Sequence, residues 1–132
     1  MNYVFLLGRV LFSTIFIIKS FEHFSQATIL RAQDAGLGMA QLLVPLSGII
    51  VLLGGLSILL GYKAKKGAWL LVIFLLPTTF LMHNYWKAEN SFALMMHHYC
   101  FWKNIALLGA ALMITHFGSG PLSLDKHPRF RK

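Results

Sequence analysis

Apolar residues are concentrated in four long segments that are separated by short polar connections. The segments cover residues 3–21, 40–60, 67–83 and 101–117. A helix that crosses the roughly 30 Å hydrocarbon core of a bilayer needs about 20 residues, within a range of about 17 to 25. The pattern therefore predicts an all-α fold, a polytopic membrane four-helix bundle, with residues 1–132 forming a single transmembrane domain.

The two connections that would lie at the same end of such a bundle are residues 22–39 and 84–100. Each connection mixes charged residues with scattered apolar ones, and glycines end the first of them. This composition is typical of short helices that lie along a membrane surface. We therefore expect one short amphipathic helix in each of these outer loops.

Overall composition supports lipid as the solvent of this chain. Hydrophobic residues make up 57% of it and charged residues 12%, with a mean hydropathy of +0.65, whereas about a quarter of the residues in a typical soluble domain are charged. A single cysteine, Cys100, excludes an internal disulfide. No small-residue cleavage site follows the first segment, so we expect a retained helix and not a signal peptide.

Basic residues predict the orientation of the bundle. They gather in the connection between the second and third segments and in the tail 118–132, which lie on one side of a four-helix topology. These residues are Lys63, Lys65, Lys66, Lys126, Arg129, Arg131 and Lys132. The positive-inside rule predicts cytoplasmic N and C termini and a basic cytoplasmic tail. The net charge of +8 indicates attraction to the lipid bilayer, and we expect no nucleic-acid partner.

Helical spacing indicates which faces of the segments pack together. One stripe on the first segment recurs at steps of three and four residues and should face the bundle. It consists of Arg9, Ser13, Phe16, Ser20 and His23. Small residues that allow close helix approach form similar faces on the second and fourth segments. They include Gly48, Gly54, Gly55, Gly109, Ala110 and Ala111.

Polar residues at membrane depth are the candidate functional residues, because a charge at the bilayer centre costs about 2.5–3.5 kcal/mol even on insertion scales. Arg9 lies about 9 Å inside the first segment by helical rise. It either extends to the lipid headgroups or pairs within the membrane.

A second polar group gathers where three segments end on the outer side. It comprises Glu22, His83, Asn84, Lys103 and Asn104. Glu22 could pair with Lys19 in its own helix or with Lys103 across the bundle. The group is either a clasp that fixes the helix ends or a binding pocket. No metal site is predicted, since adjacent His97 and His98 would diverge by about 100° on a helix, and no phosphate loop or nucleophile elbow indicates a hydrolase.

Several short sequences together resemble the DoxX family of small bacterial membrane proteins. They are Leu7-Gly8-Arg9, Phe21-Glu22-His23, Leu46-Ser47-Gly48 with Gly54-Gly55, His83-Asn84-Tyr85-Trp86, Lys103-Asn104-Ile105-Ala106, and the ending Gly118 to Asp125. The resemblance implies a four-helix bundle in the bacterial inner (cytoplasmic) membrane and a link to redox complexes. It also implies functional positions at Arg9, Glu22, His83, Asn84, Trp86, Lys103 and Asn104.

One position departs from the family pattern. Many relatives carry a glutamate in the second helix where this chain has Val51. A glutamate there could have paired with Arg9, so we expect Arg9 to find another partner here.

The resulting functional hypothesis is an accessory or structural subunit of a membrane complex, not catalytic alone. It would bind a partner helix, lipid or quinone, with other membrane-protein subunits or further copies of itself as partners. The alternative is a quinone-interacting oxidoreductase subunit with its polar site at the outer membrane face, which makes quinone the candidate cofactor. A minor alternative is small-solute transport, which polar residues in a bundle permit but which lacks the support of an inverted repeat.

Overall fold

The computed structural model describes residues 2–125, which form five α-helices and one 3₁₀ turn. The helices are α1 (Asn2–Glu22), α2 (Gln26–Asp34), α3 (Ala40–Leu60), α4 (Ala64–Met82) and α5 (Ser91–Phe117), and the 3₁₀ turn is Tyr85–Lys87. Helices α1, α3, α4 and α5 are long and apolar enough to cross a membrane by length and composition. The all-α architecture with four spanning segments is therefore confirmed. The basic residues predicted in the tail beyond residue 125 lie outside the described part.

A short amphipathic helix, α2, occupies the first of the two outer connections. Ser25 caps its N-terminus, with Oγ accepting from the Thr28 amide at 3.3 Å. Its buried residues Ile29 and Ala32 pack against the first turns of α3, at Ala40 and Val44. This helix therefore covers one end of the bundle, as the mixed composition of residues 22–39 predicts.

The second outer connection differs from the expectation, because most of it belongs to α5. That helix begins at Ser91, ten residues before the predicted segment, with the Asn90 side chain accepting from the Ala93 amide at 2.8 Å. Between α4 and α5, the 3₁₀ turn is the only other element. The polar pair His97 and His98 lies on the helix surface and contacts His83 and Tyr85.

The four long helices pack in chain order, with α1 against α3, α3 against α4 and α4 against α5. The α1 and α5 backbones do not pack closely against each other. Large side chains from both helices reach a common core, which is formed by the fully buried side chains of α3 and α4. These core residues are Val51, Ile58, Ala64, Ala68, Leu71 and Leu75, joined by Phe16 from α1.

Glycines set the close approach of the inner helices. A Cβ atom at Gly48 would lie 2.7 Å from His23 Cβ, and one at Gly54 would lie 2.7 Å from Leu71 Cδ2 and 3.0 Å from the Gly67 carbonyl oxygen. The predicted small-residue face of α3 is thus buried against both neighbours. Gly109 on α5 differs, since it is exposed and a Cβ there would meet nothing within 4 Å.

Candidate functional site

The seven candidate residues divide between the two ends of the bundle. We call one end the lysine-loop end, formed by residues 61–66 and the segment 118–125. We call the other the histidine end, formed by residues 22–23, the 3₁₀ turn with His83 before it, and α5 down to Asn104. Arg9 reaches the lysine-loop end, and the other six candidates belong to the histidine end. The sequence analysis likewise treats Arg9 apart from the polar group where three segments end.

Arg9 is buried in the lysine-loop end of the bundle and is only 5% exposed. Side chains on a helix tilt toward its N-terminus, so the guanidinium extends from α1 toward the connection between α3 and α4. Its Nη2 donates to the carbonyl oxygen of Leu122, whereas Nε and Nη1 are buried and have no hydrogen-bond partner in residues 2–125. The Arg9 side chain thus extends toward the end of its helix, as one of the two sequence-based alternatives has it, but it remains buried inside the protein.

The segment 118–125 closes this end by pairing with the α3–α4 connection. The Leu124 amide donates to the Leu60 carbonyl at 3.2 Å, and the Asp125 amide donates to the Gly61 carbonyl at 2.7 Å. The Asp125 carboxylate accepts from the amides of Lys63 and Ala64 at 2.8 and 3.1 Å. An acidic side chain at a helix N-terminus satisfies free N–H groups and complements the helix dipole, which explains why α4 already begins at Ala64.

Gly61 lies where these elements meet and has a left-handed backbone, with φ of 64°. A Cβ atom at this position would collide with Arg9 Nη1 and with Ser123 Cβ. Glycine is therefore required twice, for its backbone conformation and for the space that the guanidinium occupies. Spacing missed Gly61 and Asp125 at this end of the bundle, although Asp125 belongs to the ending that carries the DoxX resemblance.

The expectation that a glutamate at position 51 could pair with Arg9 is wrong for this structure. Ten residues of α3 separate Val51 from Gly61, which Arg9 contacts, and this amounts to about 15 Å of helical rise. Val51 is instead 1% exposed in the apolar core with Phe16. The presence of Val51 in place of the family glutamate therefore does not remove a direct partner of Arg9.

At the histidine end, Glu22 pairs within its own helix. Its Oε1 accepts from Lys19 Nζ at 2.7 Å, and both side chains are about half exposed. Lys103 instead lies near His83 and acts on it electrostatically. The sequence allowed Glu22 to pair with Lys19 or with Lys103, and the structure contains the pair with Lys19. An exposed ion pair of this kind contributes little stability.

His83 is the polar residue that the histidine end leaves incompletely paired. Its Nδ1 is buried and has no hydrogen-bond partner in the described part of the chain. Its ring centroid lies 5.9 Å from that of His97, and the Lys103 ammonium is a second neighbour. Buried polar atoms are usually hydrogen-bonded, so an unpaired one indicates a place where a ligand group can bind.

An aromatic cluster joins the 3₁₀ turn that follows His83 to α5. The Tyr85 ring lies 5.3 Å from Phe101 and 4.9 Å from His98, in edge-to-face geometry. Trp86 packs on Phe101 at 6.0 Å but remains 56% exposed. The indole of Trp102 donates to His98 Nε2 at 3.1 Å. These contacts arise because the extended α5 brings its histidines beside the 3₁₀ turn.

The two candidate asparagines and His23 complete the description of this end. Asn84 is half-buried and begins the 3₁₀ turn, where its carbonyl accepts from the Lys87 amide. Asn104 is buried within α5 at 6% exposure. His23 Nδ1 lies 2.8 Å from Ser47 Oγ. Burial lowers the pKa of His23 below its ordinary value of 6.5, and the nearby Glu22 carboxylate opposes this only in part.

No group of three or more histidine, cysteine, aspartate or glutamate side chains within residues 2–125 is arranged to hold a metal ion. The chemistry available at the histidine end is therefore hydrogen bonding from imidazole and ammonium groups beside aromatic faces. That at the lysine-loop end is guanidinium donation.

Comparison with known proteins identifies the family of this chain. The model of the DoxX family matches residues 4–84, more than half of the chain. The chain belongs to the DoxX family. This match includes Arg9, Glu22, His83 and Asn84, whereas Trp86, Lys103 and Asn104 lie beyond its end. The family and the four apolar helices identify the DoxX protein as a multi-pass protein of the inner membrane.

Three curated proteins show the range of relatives of this DoxX protein. Inner membrane protein YphA of Escherichia coli is 28% identical, over 92% of the chain and 87% of its own length. The Surfeit locus protein 4 homolog of Drosophila melanogaster is 30% identical, over 97% of the chain but 42% of its own length. ER-derived vesicles protein ERV29 of Saccharomyces cerevisiae is 28% identical, over 59% of the chain and 25% of its own length.

The DoxX protein thus spans most of YphA but less than half of the two eukaryotic relatives. No solved structure matches the chain significantly.

Proposed function

We propose that this DoxX protein is an accessory subunit of a membrane complex, not catalytic alone, and that it binds a partner helix on the N-terminal half of α5. The observation that carries the proposal is an apolar stripe on that helix, which we call the α5 stripe. It consists of Phe92, Met95, Tyr99 and Trp102, which are 70%, 61%, 68% and 53% exposed. Steps of three and four residues place these side chains on one face.

The position of the α5 stripe supports a protein partner as its occupant. The helix has 27 residues, which corresponds to about 40 Å, whereas the hydrocarbon core is about 30 Å thick. His97 is level with His83, just after the end of α4, so residues 91–96 extend past that helix. The stripe residues Phe92 and Met95 belong to this extension. Apolar side chains beyond the membrane core lose the contact with acyl chains that would otherwise solvate them, and a partner helix replaces it.

Site-specific crosslinking tests this assignment in native membranes. A photo-reactive amino acid replaces Tyr99, and we expect one discrete protein adduct. Phe92→Ser in the same chain should reduce the adduct at least about tenfold, because truncating an aromatic anchor of an interface costs about 2 kcal/mol or more.

Phe117→Ser is the matched control for this experiment, since Phe117 is 67% exposed at the other end of the same helix. It should leave the adduct unchanged. Adducts to lipid alone, or equal losses in both serine variants, would overturn the proposal.

A quinone site at the histidine end is the second candidate function. The Lys103 ammonium, and the unpaired His83 Nδ1 when it carries the ring proton, can donate to a quinone carbonyl oxygen, and the aromatic cluster of Tyr85 and Phe101 lies on the neighbouring turn and helix. Glu22 is not part of this site, because it pairs with Lys19.

Lipid extraction of the purified protein tests the quinone candidate directly. We expect one quinone per chain in the wild type and a strong loss in His83→Ala, with His116→Ala as an exposed control on the same protein. The absence of extractable quinone from the wild type would contradict the quinone site. It would not affect the proposal that the α5 stripe binds a partner helix.

A further inference from the structure

The lysine-loop end combines a buried cation with an excess of positive charge. Its described basic residues are Arg9, Lys63, Lys65 and Lys66, and Asp125 is the acidic residue among them. The Asp125 carboxylate is already engaged, since its two oxygens accept from the first amides of α4. Its charge acts on Arg9 without a direct ion pair in the described residues. This end therefore retains a local charge that a further anion would complement.

The hydrogen bonds of Arg9 do not satisfy its donors. A guanidinium carries five N–H groups and cannot be deprotonated in proteins. The described part of the chain gives it one acceptor, the neutral Leu122 carbonyl, and leaves Nε and Nη1 buried without a partner. Leaving donors of a buried charged group unpaired costs more than the hydrogen bonds themselves contribute. A structural clasp alone would not leave these two nitrogens unpaired.

We propose that Arg9 anchors a phosphate-binding site at the lysine-loop end, in which its unpaired nitrogens donate to phosphate oxygens. A guanidinium is always charged and presents several fixed N–H donors, which makes it a preferred ligand of phosphate. The phosphate is either the headgroup of an anionic lipid or free inorganic phosphate. Lys63, which is exposed beside Gly61 and Tyr62, adds a second positive charge at the entrance.

Access to Arg9 requires a small movement of the segment 118–125. Both nitrogens are shielded from solvent, with Ser123 and Gly61 adjacent to the guanidinium. The turn that covers it is held by the Ser119–Ser123 hydroxyl pair at 3.0 Å and by the bond from Arg9 to Leu122. The Asp125 contacts to α4 lie outside this turn.

Retention of lipid by the full-length protein tests the proposal. The protein is reconstituted in phosphatidylcholine with or without phosphatidylglycerol, extracted in detergent, and the bound lipid is counted by native mass spectrometry. We expect wild type to retain phosphatidylglycerol over phosphatidylcholine. Arg9→Gln should weaken this retention about tenfold, the scale of one lost charge-assisted hydrogen bond. Arg31→Gln, at an exposed arginine of α2, should leave it unchanged.

Two further measurements separate the sources of phosphate and guard against misfolding. Inorganic phosphate is titrated into the phosphatidylcholine sample, while the Arg9 Nε–H resonance, assigned by its absence in Arg9→Lys, is followed by NMR. A shift with inorganic phosphate identifies the free ion, and a shift only with phosphatidylglycerol identifies the lipid. If neither probe shifts the resonance in wild type, or if Arg9→Gln retains phosphatidylglycerol as wild type does, the proposal is overturned and Arg9 is a clasp only.

Discussion

Replacing Gly54 by alanine should destabilise the contact between α3 and α4. The new Cβ would lie 2.7 and 2.9 Å from Leu71 Cδ2 and Cγ, and 3.0 Å from the backbone carbonyl oxygen of Gly67, where ordinary contacts lie at 3.4–4 Å. Leu71 is fully buried, so its side chain has no free space to enter. The two helices must therefore separate or the leucine must leave its rotamer.

The size of this effect follows from comparison with Gly109→Ala. Both residues lie inside long helices, so alanine brings each the same gain in helix propensity, about 1 kcal/mol. A Cβ at Gly109 meets nothing within 4 Å, which leaves that gain unopposed. Overpacking at Gly54 costs about 1–3 kcal/mol. The free energy of unfolding of Gly54→Ala should therefore fall below that of Gly109→Ala by about 1–3 kcal/mol.

Reversible unfolding in mixed micelles, followed by circular dichroism while a denaturing detergent replaces a mild one, measures this difference. Equal free energies for the two variants would refute the close approach of α3 and α4 at Gly54. A stabilised Gly54→Ala variant would show that Leu71 moves aside without cost, which contradicts the packing described above.

Three further predictions concern charged and titratable groups. Asp125→Ala should lower the free energy of unfolding by about 1–2 kcal/mol, because the first amides of α4 lose their cap, whereas exposed Asp34→Ala should have little effect. Val51→Glu should cost about 3 kcal/mol, and a double-mutant cycle with Arg9→Gln should give a coupling below about 0.5 kcal/mol. Acidification from about pH 7.5 to pH 5 should destabilise the protein through His23, and His23→Gln should reduce that loss.

Each of these predictions has a specific contrary result. Equal losses in the two aspartate variants would show that the cap on α4 contributes nothing. A coupling of several kcal/mol between positions 51 and 9 would restore the ion pair that the geometry rules out. For His23, the lowered pKa means that the folded protein takes up a proton less readily than the unfolded chain, so stability must fall as the pH drops below 6.5. An unchanged pH profile in His23→Gln would contradict this.

Helical periodicity was sufficient to predict the buried face of α1. The residues buried in this helix are Arg9, Ser13, Phe16 and Ser20, all members of the predicted stripe. The prediction succeeds because a charged or hydroxylated side chain in an apolar helix has few other places to lie than the protein interior. The same reasoning gave the buried glycine face of α3.

Periodicity could not predict the destination of the Arg9 side chain. Its described partner, Leu122, is 113 positions away in the chain, in a segment with no helical or strand pattern to place it. The start of α5 was misjudged for a different reason. The mixed composition of residues 84–100 predicts a separate surface helix, whereas residues 91–100 continue directly into the spanning helix.

The bond between Arg9 and the segment 118–125 also constrains biogenesis. The first spanning helix enters the membrane with a guanidinium whose described acceptor is the Leu122 carbonyl, a residue that is synthesised after all four spanning helices. The glycine-lined contacts among α1, α3 and α4 can form earlier, since their residues all precede position 83. A nascent chain therefore carries Arg9 without this backbone acceptor until residues 118–125 have been synthesised.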